Sequence, residues 1–120
     1  MSNTSILIID DEPLVGEVLR DFLKDEGYDV HLSADGKEAL GVFKEVRPEL
    51  VITDLNMPGI SGFQVAAEVK RMKPSVPVVL LTGWDVDFTT VELQGRGIDA
   101  LIKKPFAITD ILQTIEHLCR

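Results

Sequence analysis

Three short runs of apolar residues constrain the fold more than any other feature of the chain. They occupy residues 6–9, 50–52 and 78–81. Uninterrupted apolar strands are typical of the middle of a parallel sheet, where helices cover both faces. Two further strand candidates, 28–33 and 98–103, alternate fully or partly between apolar and polar residues, which is typical of edge strands. The pattern therefore predicts three central strands, at 6–10, 50–54 and 76–82, between two edges.

Amphipathic segments separate these strands, and we expect them to be helices. Their predicted ranges are 13–25, 37–46, 62–72, 86–96 and about 108–118. Pro13 suits the first turn of a helix, and the pairs Asp35/Glu38 and Ser61/Gln64 have the spacing of capping boxes. Five successive βα units indicate a parallel sheet with helices on both faces. Right-handed crossovers then favour the strand order 2-1-3-4-5, a flavodoxin-like doubly wound α/β fold.

Length and charge restrict the classes of protein to which the chain can belong. A chain of 120 residues, 45% hydrophobic, is expected to form one domain over 1–120. No segment approaches the roughly 20 apolar residues that span a bilayer, and residues 1–5 do not resemble a secretory leader. We therefore expect a cytoplasmic protein. A net charge of −8 disfavours direct binding to nucleic acid or to a membrane surface.

Three residues of types that often carry chemistry are interpreted as ordinary. Cys119 is the only cysteine, so an intramolecular disulfide is excluded, and a packed small side chain is the expected role. His31 falls on a predicted edge strand, and His117 falls in the last turn of the final helix. Neither histidine has a metal-binding partner at a usable spacing, so neither is assigned a chemical role.

Acidic residues follow two neighbouring central strands. Asp10 and Asp11 end the first strand, with Glu12 following, and Asp54 ends the third. In open α/β sheets, ligands bind at the carboxyl ends of the strands where the strand order reverses. Carboxylates that converge there repel one another, and a cation relieves that repulsion. Oxygen ligands with positions left for water and phosphate suit Mg²⁺, which is the cofactor we expect.

The remaining strand ends supply groups that suit phosphoryl chemistry. An aspartate such as Asp54 can act as a nucleophile and form an aspartyl-phosphate. Lys104, after the fifth strand, can neutralise phosphoryl oxygens together with the cation. Thr82, at the end of the fourth strand, offers a hydroxyl that can donate to a phosphoryl oxygen. Together these residues supply a nucleophile, metal ligands, a cation and a hydroxyl.

Each of these residues also has a structural interpretation. Asp10 and Asp11 are suited to cap the first helix. Asp54 is suited to begin the turn that follows it, Thr82 to a plain strand end, and Lys104 to a solvated surface. The functional interpretation is favoured because four strand ends independently supply groups that one reaction needs.

Four motifs, in this order and at these spacings, are highly specific. They are Ile-Ile-Asp-Asp-Glu at 8–12, Val-Ile-Thr-Asp-Leu-Asn-Met-Pro-Gly at 51–59 with Gly62 following, Leu-Thr-Gly at 81–83, and Lys-Lys-Pro-Phe at 103–106. On these residues the chain closely resembles the receiver domain of two-component response regulators and is similar to chemotaxis regulators. The resemblance extends over essentially the whole chain.

The resemblance implies a role for each matching position. Asp54 matches the phospho-accepting aspartate. Asp11 matches the acidic residue that binds magnesium directly, and Asp10 the one that usually reaches it through water. Asn56 matches the position whose backbone carbonyl binds the metal. Lys104 matches the lysine that contacts the phosphoryl group.

The same resemblance implies which residues take part in the conformational switch. Thr82 matches the switch hydroxyl, and Pro105 is expected to follow a cis peptide bond. Leu101 stands where the family often has an aromatic residue or histidine that rotates with the threonine, so the aromatic half of that coupling is missing. Trp84, near the expected mouth of the site, is interpreted either as a loop residue packed on the fourth helix or as a shield of the aspartyl-phosphate from water.

The leading functional hypothesis is a phosphorylation-driven interaction module that is not an enzyme for external substrates. A sensor histidine kinase or histidine phosphotransfer protein is the expected phosphoryl donor. The resemblance suggests an altered surface around the fourth helix, fifth strand and fifth helix, and allows a homodimer through that face. The alternatives are a small aspartyl phosphohydrolase, a flavin carrier, whose phosphate residues 10–12 would repel, and a scaffold that never takes phosphate. The sequence leaves the output and the kinase open.

Overall fold

Five parallel strands make up the sheet of this computed structural model, which describes residues 4–83 and 87–119. In chain order they are β1 (Ser5–Ile9), β2 (Asp29–Ser33), β3 (Leu50–Asp54), β4 (Val78–Gly83) and β5 (Ala100–Lys104). Their spatial order is β2-β1-β3-β4-β5. The predicted flavodoxin-like arrangement is therefore confirmed, with the apolar strands β1, β3 and β4 in the centre and the alternating strands at the edges.

The helices that connect the strands match the predicted pattern. They are α1 (Pro13–Asp25), α2 (Gly36–Val46), α3 (Gly62–Met72), α4 (Thr90–Gly95) and α5 (Ile108–Leu118). Local capping explains two of the starts. Ser61 and Gln64 form the predicted reciprocal capping box at α3, and at α2 Asp35 Oδ1 accepts the N–H groups of Lys37 and Glu38. Among the described residues, no helix is long and apolar enough to cross a membrane.

The fourth helix is shorter than the predicted range of 86–96. It covers Thr90–Gly95 because Thr89 forms a capping box, in which its Oγ1 accepts the Glu92 N–H at 3.1 Å and Glu92 Oε1 accepts the Thr89 N–H at 3.0 Å. A capped Thr89 has extended backbone and cannot be part of the helix. The helix ends just before Gly97, whose φ of 79° is left-handed.

Three strands also begin later than predicted, β2 by a single residue. β4 begins at Val78 and β5 at Ala100, each two residues after the predicted start. Asp99 explains both starts, because its Oδ2 accepts the Val78 N–H at 2.8 Å and the Lys70 ammonium at 2.7 Å. The side chain thus joins the beginnings of the two strands to α3.

Two apolar clusters cover the faces of the sheet. Successive residues of a strand point to opposite faces, so Leu7 and Ile9 belong to one cluster and Ile6 and Ile8 to the other. The first cluster packs against α2 and α3 through Ala39, Phe43, Val65, Ala66 and Val69. The second packs against α1 and α5 through Leu19, Leu23, Ile111 and Ile115. The central strands are therefore covered on both faces, and their polar ends are left at one rim.

An aromatic contact attaches α4 to α3. The rings of Phe63 and Phe88 meet edge to face, with centroids 5.2 Å apart and planes at 88°. The guanidinium of Arg96 lies 4.3 Å from the centre of the Phe63 ring. Phe63 therefore touches residues on either side of α4, a helix that has no fully buried residue within its described range.

Candidate functional site

Three carboxylates meet at the carboxyl ends of β1 and β3. β1 and β3 are paired so that Ile9 lies beside Thr53, which places the next residues, Asp10 and Asp54, at the same edge. One carboxylate oxygen each from Asp10, Glu12 and Asp54 lies within 4.8 Å of the other two. The predicted convergence of acidic groups at the point where the strand order reverses is therefore present.

Asp10 is the most deeply buried member of the group. Its side chain has no exposed surface. Its Oδ1 accepts the backbone N–H of Glu12 at 2.9 Å, and its Oδ2 accepts from Lys104 Nζ at 3.0 Å. Glu12 itself is the residue before α1 and makes no side-chain cap. Asp10 therefore binds the residue that precedes the helix and the site lysine, and does not cap the first turn.

Lys104 links all three carboxylates. Its Nζ lies 3.0 Å from Asp10 Oδ2, 3.0 Å from Glu12 Oε1 and 3.5 Å from Asp54 Oδ1. Burial acts to lower the pKa of Lys104, but the hydrogen bonds to Asp10 and Glu12 outweigh it and raise that pKa above its ordinary value. The structural interpretation of Lys104 as a solvated surface lysine is therefore wrong: only 19% of its side chain is exposed.

The environment of Asp54 disfavours its charged form. Burial and the nearby charge of Asp10 raise the pKa of Asp54 to about 6, while Lys104 acts in the opposite direction and Asp11 adds to the rise. The carboxyl group is still ionised at neutral pH. The single ammonium of Lys104 thus offsets only part of the negative charge that the fold collects at this rim.

The donor set fits a divalent cation. It consists of carboxylate oxygens, and a bound hard cation would offset both the burial and the charge of Asp10, the two largest causes of the raised pKa of Asp54. Asp11 lies outside the trio of converging oxygens, although its charge reaches Asp54. Asn56 is exposed in the loop after β3. The metal-binding roles of Asp10, Asp11, Asp54 and the Asn56 carbonyl remain predictions.

Thr82 reaches the same rim from β4. Asp54 is paired with Leu81, so Thr82 lies one residue further along the neighbouring strand. Only 1% of Thr82 is exposed, and its Oγ1 has no hydrogen-bond partner within the described parts of the chain. A buried hydroxyl without a partner is costly, so a ligand that accepted a hydrogen bond from it would satisfy it.

The structure bears differently on each prediction about the switch residues. The peptide bond between Lys104 and Pro105 is cis, as expected. Leu101 is half-buried in β5, and it lines a groove that Phe88 also lines. Trp84 lies outside the described residues, so its proposed shielding role stays a prediction. An aromatic side chain therefore does lie near Leu101, although it comes from the segment before α4.

Two features of the site region were not assigned from the sequence. Glu12 was placed beside the acidic pair without a role, yet its side chain binds Lys104. The contact between Phe63 and Phe88 joins residues that are distant in the chain. No pattern in a single sequence indicates either contact, because both depend on how separate elements pack together.

Comparison with known proteins supports the same assignment. The model of the response regulator receiver domain matches residues 6–116. The chain is similar to the Vibrio cholerae chemotaxis response regulator CheY4, with 28% identity and a TM-score of 0.89 over 98% of this chain and 99% of that one. It is also similar to the receiver domain of Brucella abortus NtrX, with 30% identity and a TM-score of 0.87 over 94% and 96% of the two chains.

A longer structure of the same Brucella abortus protein shows the domain in a larger context. There the chain matches with 28% identity and a TM-score of 0.89, over 98% of its own length but 27% of the NtrX chain. Receiver domains of this family act with kinases or output domains and typically bind Mg²⁺ at an acidic pocket. The sequence motifs, the strand order and the acidic rim agree with these matches: the chain belongs to the response regulator receiver domain family.

Proposed function

We propose that the protein is a phosphorylation-driven switch in which Asp54 accepts a phosphoryl group. The observation that carries the proposal is the position of the Asp54 carboxylate, 3.5 Å from the Lys104 ammonium at the rim where Asp10 and Glu12 converge. A carboxylate held beside a cation and other carboxylates suits attack on a phosphoryl group. The donor we propose is the phosphohistidine of a sensor kinase or of a phosphotransfer protein.

In the transfer step, a P–O bond to Asp54 replaces the P–N bond to the donor histidine. An oxygen of the Asp54 carboxylate attacks phosphorus, a P–O bond forms, and the P–N bond to the donor histidine breaks. The imidazole leaves with the bonding electron pair and takes up a proton. Because the pKa of Asp54 is about 6, the attacking carboxylate is in its reactive charged form at neutral pH.

Lys104 and Thr82 have complementary parts in the proposal. Lys104 Nζ is close enough to Asp54 to contact an oxygen of a phosphoryl group attached there. Thr82 offers a buried hydroxyl without a partner among the described residues, one position along the neighbouring strand. Donation of that hydroxyl to a phosphoryl oxygen would draw β4 and the segment after it toward the site, which links phosphorylation to a change of surface.

A magnesium ion is part of the proposal. Asp10 and Asp54 would hold it, with Asp11 and the Asn56 carbonyl as the further ligands that the family resemblance implies. When bound, Mg²⁺ would neutralise charge on the phosphoryl oxygens. The excess of carboxylates over ammonium groups at the rim is the feature that supports this assignment.

The proposed output is a change in protein binding, with no turnover of an external substrate. The surface we propose for it is the one formed by α4, β5 and α5, which carries a groove of about 590 Å³ lined partly by Leu101, Gln113 and His117. A homodimer through this face and a cytoplasmic location are parts of the same proposal. Light scattering before and after phosphorylation measures the dimer directly.

The proposal is tested by intact-mass spectrometry after incubation with acetyl phosphate and Mg²⁺. We expect a phosphoryl adduct in the wild type and in Asp21→Asn, a control at an exposed position of α1, and no adduct in Asp54→Asn. An adduct that persists in Asp54→Asn would overturn the assignment. Release of phosphate from generic phosphate esters over many turnovers would favour a phosphohydrolase.

A further inference from the structure

Glu12 completes a closed ring of hydrogen bonds with Asp10 and Lys104. The Glu12 N–H donates to Asp10 Oδ1 at 2.9 Å, Lys104 donates to Asp10 Oδ2 at 3.0 Å, and Lys104 also donates to Glu12 Oε1 at 3.0 Å. Both oxygens of Asp10 are therefore engaged. The two carboxylates differ in burial, since the Asp10 side chain has no exposed surface and that of Glu12 is 60% exposed.

Lys104 competes with any cation for the oxygens of Asp10. A metal ion bound to Asp10 Oδ2 would lie close to the positive charge of Lys104, whose Nζ is 3.0 Å from that oxygen, so holding the ammonium away from Asp10 would favour the ion. Among the described residues, Glu12 is the acceptor that already holds the ammonium from the solvent side. Its side chain touches Lys104 without occupying the buried positions of Asp10 and Asp54.

We propose that Glu12 is a positioning residue: it holds the Lys104 ammonium at the outer edge of the rim, so that Asp10 is free to bind the cation. This inference rests on the proposed function, because it concerns the cation of the same site. Glu12 acts through Lys104 and is not itself a ligand of the metal. The length of the glutamate side chain is essential, since its carboxylate has to reach Lys104 from the position before α1.

The test is the affinity for Mg²⁺, measured by calorimetry on the unphosphorylated chain. Glu12→Asp keeps the charge and the backbone N–H but shortens the side chain by one methylene, so it removes the contact with Lys104 and little else. We expect Mg²⁺ binding to weaken about twofold to fivefold, the range for an exposed ion pair. Glu17→Asp, at an exposed position of α1, is the matched control and should bind as the wild type does.

The same change in a Lys104→Met background separates the possible roles. If Glu12 acts through Lys104, Glu12→Asp has no effect once the ammonium is gone, which is the coupling that a double-mutant cycle measures. An effect that persists in this background makes Glu12 a direct ligand and overturns the proposal. If the single Glu12→Asp variant binds Mg²⁺ as tightly as the wild type does, the negative charge at this position is sufficient without the contact to Lys104. That result also overturns the proposal.

A second background variant and the Mg²⁺ affinity of the wild type separate the possible results. Lys104→Gln serves as the second background if Lys104→Met does not fold. A wild type that fails to bind Mg²⁺ contradicts both the metal site of the proposed function and this inference. A wild type that binds Mg²⁺ and an unchanged Glu12→Asp variant contradict only the inference about Glu12.

Discussion

The backbone of Gly62 lies against the backbone of Asp54. A Cβ on Gly62 would come within 2.4 Å of the Asp54 carbonyl oxygen and 2.8 Å of the Leu80 side chain. The Gly62 N–H donates to the Leu55 carbonyl at 2.9 Å, which holds the start of α3 against the end of β3. The first residue of α3 therefore has to be glycine for β3 to end where it does.

The first prediction concerns this close approach. Gly62→Ala should lower the free energy of unfolding by about 1–3 kcal/mol, because a backbone oxygen and a packed side chain have to move to admit the methyl group. Urea denaturation measures the change. Gly41→Ala is the control, because a Cβ there meets no atom within 4 Å and alanine favours the helix, so this variant should be neutral or more stable. Equal effects of the two substitutions would contradict the prediction.

The second prediction follows from the raised pKa of Asp54, which is about 6 against an ordinary value of 3.8. Below pH 3.8 the carboxyl is neutral in both the folded and unfolded states. Between pH 3.8 and about 6 the carboxyl ionises in the unfolded state before it does in the folded state, so Asp54 progressively lowers stability, by up to about 3 kcal/mol once the pH is above 6.

Asp54→Asn removes that charge. In EDTA, we expect the variant to be more stable than the wild type at pH 7–8 and to lose this advantage by about pH 4. The measurement is chemical denaturation as a function of pH. Two results would contradict this prediction: a variant less stable than the wild type at pH 8, or a stability difference that is the same at both pH values. Either would show that other groups of the folded chain compensate for the burial and repulsion at Asp54.

The third prediction concerns the opposing effect of Lys104. Because its ammonium acts to lower the pKa of Asp54, Lys104→Met should raise that pKa further above about 6. A pH titration of the Asp54 carboxyl carbon by NMR, in EDTA, measures the change. Lys24→Met, at an exposed position of α1, should leave the titration unaltered. A fall in the pKa in Lys104→Met would mean that the lysine does not stabilise the Asp54 carboxylate.

The fourth prediction concerns the attachment of α4. Phe88→Ala removes the edge-to-face contact with Phe63, which is worth about 1 kcal/mol beyond the area that it buries. We expect the amides of α4 to exchange roughly fivefold faster, as measured by hydrogen exchange. Val91→Ala is the control within α4, because Val91 is 78% exposed. Equal protection of α4 in Phe88→Ala and the wild type would show that the aromatic pair does not hold this helix.

Local patterns predicted most of the fold. Helices α1, α3 and α5 begin and end where proline, capping residues and apolar periodicity indicate. The strand order follows from which strands are continuously apolar, because such strands have to be covered on both faces. The prediction was less accurate where a side chain sets the beginning of an element through a contact with a distant residue. Asp99 sets the beginnings of β4 and β5 by binding Val78 and Lys70, and sequence periodicity carries no sign of that contact.

The acidic rim likewise combines features that local sequence patterns predict with contacts that they do not. The motifs alone were enough to identify the family and the strand ends that carry Asp10, Asp54, Thr82 and Lys104. The convergence of these groups follows, because parallel strands end at one edge of a sheet. The contacts of Glu12 with Lys104 and of Phe63 with Phe88 became known only from the packing of the folded chain. The physical reason is that strand position follows from hydrophobic burial along the chain, whereas the partner of a side chain depends on distances between elements that are remote in sequence.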